Sequence, residues 1–409
     1  MLQVPITITQ QSTSIHSYRI DAARLIDDLP VAHWDAIVGK DTLFLQSQYL
    51  RQVERSLDGS MNFYYVLFWQ DDMPIGISYF QRIHIKGTGV RMQREYSFKK
   101  NPLLASVEHF NNVLKKNINR LNIQLLVQGN SFISGEYSSR FVDSVSKDLR
   151  HELMLKAIES IKKEETTHDI NMVMIKDFVA GSMEADSAFV KEGFTEVELQ
   201  PNMELTLRPE WKSTEDYLQA MSSKYRVRAR SARKKGKNLV VEPLGINGAK
   251  EYGPEMYKLY RNIAEEAEFN LAFLGPNYFS IMKESLPDNF FITAYFEEET
   301  LIGFISYFIY GKDMEAHFMG YDKQLNRKYK LYQNVLYDLV ETGIAAGVHH
   351  IAMGRTALEI KSTVGAVGVP MNCYVRHDNS LKNQFLGSIF RQLNNETFVP
   401  RSPFKKKNA

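Results

Sequence analysis

One cysteine, Cys373, stands in a chain of 409 residues. It leaves no basis for an intramolecular disulfide framework or a Cys-rich zinc site. Apolar runs of about 18 residues are missing too, so no membrane-crossing helix is expected. The opening residues, Met1 to Thr7, have no basic start and no long apolar core. That reads against a secretory leader and sets a cytoplasmic expectation. Net charge is almost absent: 50 Lys+Arg against 48 Asp+Glu leave +2. Only a local cluster could then point to nucleic acid or an anionic surface. The Gly-x-Ser-x-Gly elbow of serine hydrolases is absent. His349 and His350 are adjacent and would point to opposite faces of a strand, while Glu315 and His317 make at most half a site, so no metal is expected. Cys373 lies in the apolar stretch Met371 to Val375 and reads as a buried structural thiol.

What remains is an ordinary globular composition, 44% hydrophobic and 24% charged, and room for two to three domains at roughly 100–200 residues each. Helical spacing of Tyr49, Leu50, Val53 and Leu57 predicts a helix after Ser47. Phe63 to Trp69 reads as a buried strand, followed by an acidic turn and a strand from Ile75 to Ile85. Further strands are expected at Ile123–Val127, Ile170–Ile175 and Glu196–Leu207, with a helix from about Val145 to Lys163. The order then recurs. A helix covers Glu255–Ala267, and strands cover Phe290–Phe296, Leu301–Tyr310 and Met314–Met319. A helix at Leu331–Ala346 ends near Gly347, and strands at Val348–Met353 and Val369–Arg376 close the pattern.

The recurrence is visible in the letters. Residues 62–80 read NFYYVLFWQDDMPIGISYF and residues 289–308 read NFFITAYFEEETLIGFISYF. Each is a strand, an acidic turn and an Ile-Gly step into a strand ending Ile-Ser-Tyr-Phe. Duplication follows: two tandem units, each a mostly antiparallel sheet with helices on its faces. Between them a helix from Thr214 to Gly236 carries acidic residues in its first turn and basic ones in its last. Eight of the 14 residues 224–237 are Lys or Arg.

At this helix the chain resembles a known family. TEDYLQAMSSKYRVRARSARKKG, preceded by PNMELTL, looks like the junction in FemAB-like proteins, the peptidoglycan-bridge aminoacyltransferases and their relatives. Residues 331–366, LYQNVLYDLVETGIAAGVHHIAMGRTALEIKSTVGA, match a second segment: helix, Gly turn, short strand ending Gly-Arg, Lys-bearing loop, Gly. The resemblance implies an α+β fold of three-layer type, with two tandem acyltransferase domains of the GCN5-related kind, each a mixed, mostly antiparallel sheet flanked by helices. The expected division is 1–210, a basic connecting helix 211–238, and 239–409. No sustained heptad run supplies the coiled-coil arm of the bridge-forming members.

The resemblance also implies N-acyl transfer without a covalent enzyme intermediate, to a small-molecule, lipid-linked or envelope-precursor acceptor. No tightly bound cofactor is expected; acyl-CoA is the implied co-substrate. Gly354-Arg355-Thr356 ends a strand, and Arg355 with Lys361 and the intervening Glu359 is the expected substrate-binding group, since a guanidinium can grip a carboxylate or phosphate. The competing reading is an Arg–Glu pair that pins the loop. His317, Tyr321 and Asp322 are the catalytic candidates, with His317 in the range of a base. Relatives that use acetyl-CoA hold its pyrophosphate on a Gly-rich loop before the central helix. Residues 324–330 contain no glycine, so the expected anion loop moves to the first copy, at Gly129, Asn130, Ser131 and Gly135. The basic helix has two readings, a hold on RNA and a solvated face. A catalytically inactive tandem domain that binds a ligand also remains open.

Overall fold

The computed structural model describes residues 6–10, 17–57, 61–86, 122–165, 170–179, 187–266, 272–393 and 398–405. In the first half the strands are β1 (Ile6–Gln10), β2 (Tyr18–Ala23), β3 (Asn62–Gln70), β4 (Met73–Lys86), β5 (Asn122–Gln128), β6 (Ser139–Phe141), β7 (Met172–Val179) and β8 (Thr195–Thr206). The second half contributes β9 (Val240–Pro243), β10 (Phe290–Glu297), β11 (Thr300–Tyr310), β12 (Asp313–Tyr321), β13 (His350–Ala352) and β14 (Val367–His377).

All of them join one 14-stranded sheet, in the order β1-β2-β3-β4-β5-β7-β14-β8-β13-β12-β11-β10-β9, with β6 paired to β4. The sequence reading gives each unit a sheet of its own, and the continuous sheet corrects it. The reason is an exchange of strands. β8 leaves the first half to pair with β13 of the second, and β14 returns to pair with β7 of the first. β8 and β14 pair with each other along the middle, from Val367↔Glu204 to Val375↔Thr195. From β2 to β9 the order is thus a palindrome about the β14–β8 pair, as a pseudo-twofold repeat requires.

The duplicated hairpins occupy equivalent places. In the first, Phe68 opposes Gly76 and the register shifts at Trp69; in the second, Tyr295 opposes Gly303 and the register shifts at Phe296. Both acidic turns contain a residue in the left-handed region, Asp71 at φ 52° and Glu298 at φ 54°. A non-glycine residue adopts this region at a cost, so sharing it at the matched position is a detailed sign of common origin.

Apolar residues on both sides of the strands demand cover on both faces. One face is covered by a core common to the two halves, with Trp34, Phe44 and Tyr49 meeting Tyr278 and Phe308. On the other face the first half packs the helix Lys147–Glu164, through Leu153, Ala157 and Ile161. The second half packs the helix Leu331–Ala345 there, through Leu331, Val335 and Leu339. The basic segment is two helices, Thr214–Ala220 and Ser223–Gly236. The break follows from the chain's end: Met221 bridges Phe404, and Ser222 N donates to Pro403 O at 2.8 Å. Among the described residues no helix is long and apolar enough to cross a membrane.

Candidate functional site at the central seam

Parallel strand pairs leave the sheet open where they part. β5 and β7 run in parallel from Leu125↔Met172 to Gln128↔Ile175, then diverge. β12 and β13 run in parallel from Asp313↔His350 to Glu315↔Ala352, then diverge. Carried through the ladders from the hairpins, the register makes Val127 equivalent to Glu315, Lys176 to Gly354 and Asp177 to Arg355. Asp177 and Gly354 share a left-handed backbone, φ 67° and φ 72°. Both openings face the exchanged strands, and buried charges from the two halves meet there.

Asp177 is the hub. Fully buried, it accepts from Arg355 of the second half and from the neighbouring Lys176, and from Gly135 N at 3.3 Å. Burial alone would raise its carboxyl; Lys176 and Arg355 override that and hold it below the ordinary carboxylate value. Lys176 Nζ also donates to Asn130 O at 2.7 Å and to Ile133 O at 3.0 Å. The Cys373 thiol lies 3.7 Å from Asp177 Oδ1 and receives the Asp177 N–H at 3.4 Å. Burial and the carboxylate push that thiol up to about 12, so it stays protonated and unreactive, as the sequence suggests.

Around the second opening the charges are less well matched. Glu315 is only 4% exposed, yet its carboxylate makes no hydrogen bond or ion pair among the described residues. Burial, reinforced by the Glu204 carboxylate, pushes it well above the ordinary value against the pull of Lys361, Lys176 and Arg355. Lys361, 5% exposed, donates to Gly354 O at 3.2 Å. Burial pushes its ammonium down to about 7, with Glu315 opposing. Glu204 on β8 takes His350 Nε2 at 3.1 Å and Asn202 Nδ2 at 2.8 Å, and it raises the His350 imidazole. The hydroxyls of Tyr137 and Tyr310 meet across the halves at 3.2 Å.

The expected substrate group is therefore split. Arg355 and Lys361 are in the seam. Glu359 is on the surface, paired with Arg401 instead of Arg355. Arg355 does pin a loop, but through Asp177 of the other half.

The catalytic trio does not converge. The His317 ring sits among Tyr278, Phe290, Phe308 and Phe318 on the face of the common core. Tyr321 packs against Tyr332 in the core of the opposite face. Asp322 caps the helix Lys323–Tyr329, accepting from Gln324 N at 2.8 Å and Leu325 N at 3.1 Å. Burial pushes the His317 imidazole down to about 3, so it is a neutral, feeble base. Its Nε2 meets Tyr278 Oη at 2.7 Å, a structural contact.

The first-copy loop is not an anion cradle either. Gly129 N is bound to Tyr79 O at 2.9 Å, Ser131 N to Gln81 Oε1 at 2.9 Å, and Phe132 N to Asn130 Oδ1 at 2.9 Å. The carbonyls of Asn130 and Ile133 face an ammonium, so the interior of the loop has the wrong sign for a phosphate. In the second half, the helix Lys323–Tyr329 fills the place of the glycine loop, and Asn326 Oδ1 takes Tyr332 N at 3.0 Å. The sequence reading missed Lys176, Asp177 and Glu204 altogether and considered Glu315 only as a metal ligand. The signal for the first two was a Lys-Asp pair inside the apolar run Met172–Val179.

A tandem repeat of a mixed sheet, opened where parallel strands part and flanked by helices, defines the class of fold: two units of the GCN5-related fold in one chain. Two solved structures share it. FemX has a TM-score of 0.51 at 12% identity, over 88% of this chain and 98% of that one. The tandem protein of this fold from the clavulanic acid biosynthesis pathway has 0.50 at 9% identity, over 88% of this chain and 99% of that one. At these identities the likeness is one of fold. No protein-family profile matches the sequence, and no curated protein matches it.

Proposed function

We propose that this chain transfers an acyl group to an amine, with the transfer site in the second opening beside Glu315. The observation that carries this reading is a carboxylate at 4% exposure that has no hydrogen-bonding or ionic partner among the described residues. A buried unpaired carboxylate is costly, and an acceptor's ammonium is a partner of the right charge. The amine then loses a proton and its nitrogen attacks the acyl carbon. The C–N bond forms as the bond to the leaving sulfur or oxygen breaks, and the leaving atom gains a proton. Glu315, held well above the ordinary carboxylate value, suits the first proton transfer, and Lys361, near 7, suits the second. Arg355, fixed by Asp177, adds positive potential toward the developing oxyanion.

The acceptor class is an amine on a small molecule, a lipid or an envelope precursor. The clavulanic acid pathway relative is described in a form without acetyl-CoA, so CoA thioesters are the first donors to try. A second reading, an aminoacyl ester carried by RNA, has specific support. The amides that would cradle a CoA pyrophosphate are occupied in both halves. The helix Ser223–Gly236 exposes Lys224, Arg228, Lys234 and Lys235. Mass spectrometry of donors retained by the purified chain separates the two. With the donor in hand, Glu315→Gln should lower turnover by about 10²–10⁴ without lowering the melting temperature. Full turnover in that variant would remove Glu315 from the mechanism.

A further inference from the structure

We infer that the opening between β5 and β7 is an ammonium site occupied by the chain's own Lys176, so that the first half takes no acceptor amine and the chain has one transfer site. The occupancy stands on geometry; the count of transfer sites rests on the reading proposed above.

An ammonium has three hydrogens to donate. Lys176 Nζ has three acceptors: Asn130 O at 2.7 Å, Ile133 O at 3.0 Å and the Asp177 carboxylate. The first two belong to the segment that follows β5 and the third to β7, so the side chain spans the gap where the two strands part. The backbone is shaped for this. Gly129 at φ 121° and Gly135 at φ 137° turn the loop, and a Cβ on Gly129 would lie 3.4 Å from Lys176 Cβ. The amides of Gly129, Ser131 and Phe132 are satisfied elsewhere, which leaves the carbonyls of Asn130 and Ile133 facing the cation. The result is a cage of oxygens around one positive charge, 6% exposed at the lysine.

The second opening differs at each matched position. Gly354 and Arg355 stand where Lys176 and Asp177 stand, and Glu315 stands where Val127 does. Val127 is apolar and needs no partner, whereas Glu315 has no hydrogen bond or ion pair among the described residues. In one opening the ammonium is bonded by the chain's own oxygens; in the other Lys361 attracts Glu315, but no described residue bonds that carboxylate. The chemical class of ligand that fits the first site is therefore a primary alkylammonium, and only when Lys176 is shortened.

The test is chemical rescue in the full chain. Lys176→Ala removes about the volume and charge of n-propylammonium. Its melting temperature should fall by several degrees. n-Propylammonium chloride should restore at least half of the loss, saturably, in this variant alone. Tetramethylammonium chloride at equal ionic strength should not, because it has no N–H to donate. Equal response to both salts, or none to either, would overturn the proposal. Should Lys176→Ala not fold, the wild-type chain with ¹⁵N-labelled lysine gives the same decision by NMR. A protected side-chain ammonium signal that vanishes in the isosteric Lys176→Met supports the cage, and its absence in the wild type refutes it. Neither readout uses acyl transfer, so failure here and failure of the proposed activity are distinguishable.

Discussion

The two halves share a frame down to individual backbone angles and differ in what they put into it. Turn residues Asp71 and Glu298 have the same unusual φ at matched positions. Yet the first half fills its opening with a lysine and closes the charge with an aspartate. The second half buries a carboxylate that no described residue bonds. Duplication preserved the geometry; divergence redistributed the charges, concentrating the unsatisfied ones on one side. The first half then serves the second by fixing Arg355 through Asp177.

The comparison can be broken hardest at the two left-handed residues beside the seam, Asp177 and Gly354. Asp177→Ala strands two buried cations and should cost about 3–5 kcal/mol in urea denaturation. Gly354→Ala, also at a left-handed position beside the seam, should cost only the backbone strain, about 1–2 kcal/mol. Equal losses would show that Asp177 is a turn residue and no hub. Next is the pH response of Lys361. Its folded value is about 7 against an ordinary 10.5, so between those values the unfolded chain binds more protons. Stability should therefore fall as pH drops from about 10 toward 7, by up to about 1.4 kcal/mol per pH unit, and level off below. Lys361→Met should flatten that slope; an unchanged slope would mean the lysine is not desolvated.

Smaller effects sharpen the match of the hairpins. A Cβ on Gly76 would meet Phe141 Cδ1 at 2.1 Å, whereas one on Gly303 would meet Leu331 Cδ2 at 2.8 Å. Gly76→Ala should cost about 1–3 kcal/mol and Gly303→Ala distinctly less, by thermal melts of the pair; the reverse order would mean Phe141 moves aside freely. In the turns, Glu298→Gly should stabilise by about 0.5–1 kcal/mol by relieving the left-handed strain. Asp71→Gly should gain less, because Asp71 Oδ1 holds Ser17 N and Oγ, both at 3.2 Å. Equal gains would remove any value from the Ser17 contact.

The sequence disclosed the frame well because frame depends on local pattern. The buried run Phe63–Trp69, its copy and the Gly347 stop each announced an element. The site was harder because its parts are distant: Asp177 and Arg355 are 178 positions apart, and strand exchange alone brings them together. Glycine spacing at 129–135 correctly marked an unusual backbone, but says nothing of whether amides or carbonyls face inward. Histidine chemistry suggested His317 as a base; its chain neighbour Phe318 and the rings of Tyr278, Phe290 and Phe308 decide otherwise. Arg355 and Lys361 were legible because the Gly-Arg…Lys…Gly pattern that carries the family resemblance places their loop in the cleft.

The exchanged strands also set an order of events during synthesis. β7 ends at Val179, and β14, the strand that covers its open edge, begins only at Val367. On the ribosome, the amino-terminal half emerges with that edge bare, a template for pairing with other chains. Asp177 meanwhile lacks its guanidinium. Closure comes when the last strands leave the exit tunnel, so the first half to be made is among the last to be finished.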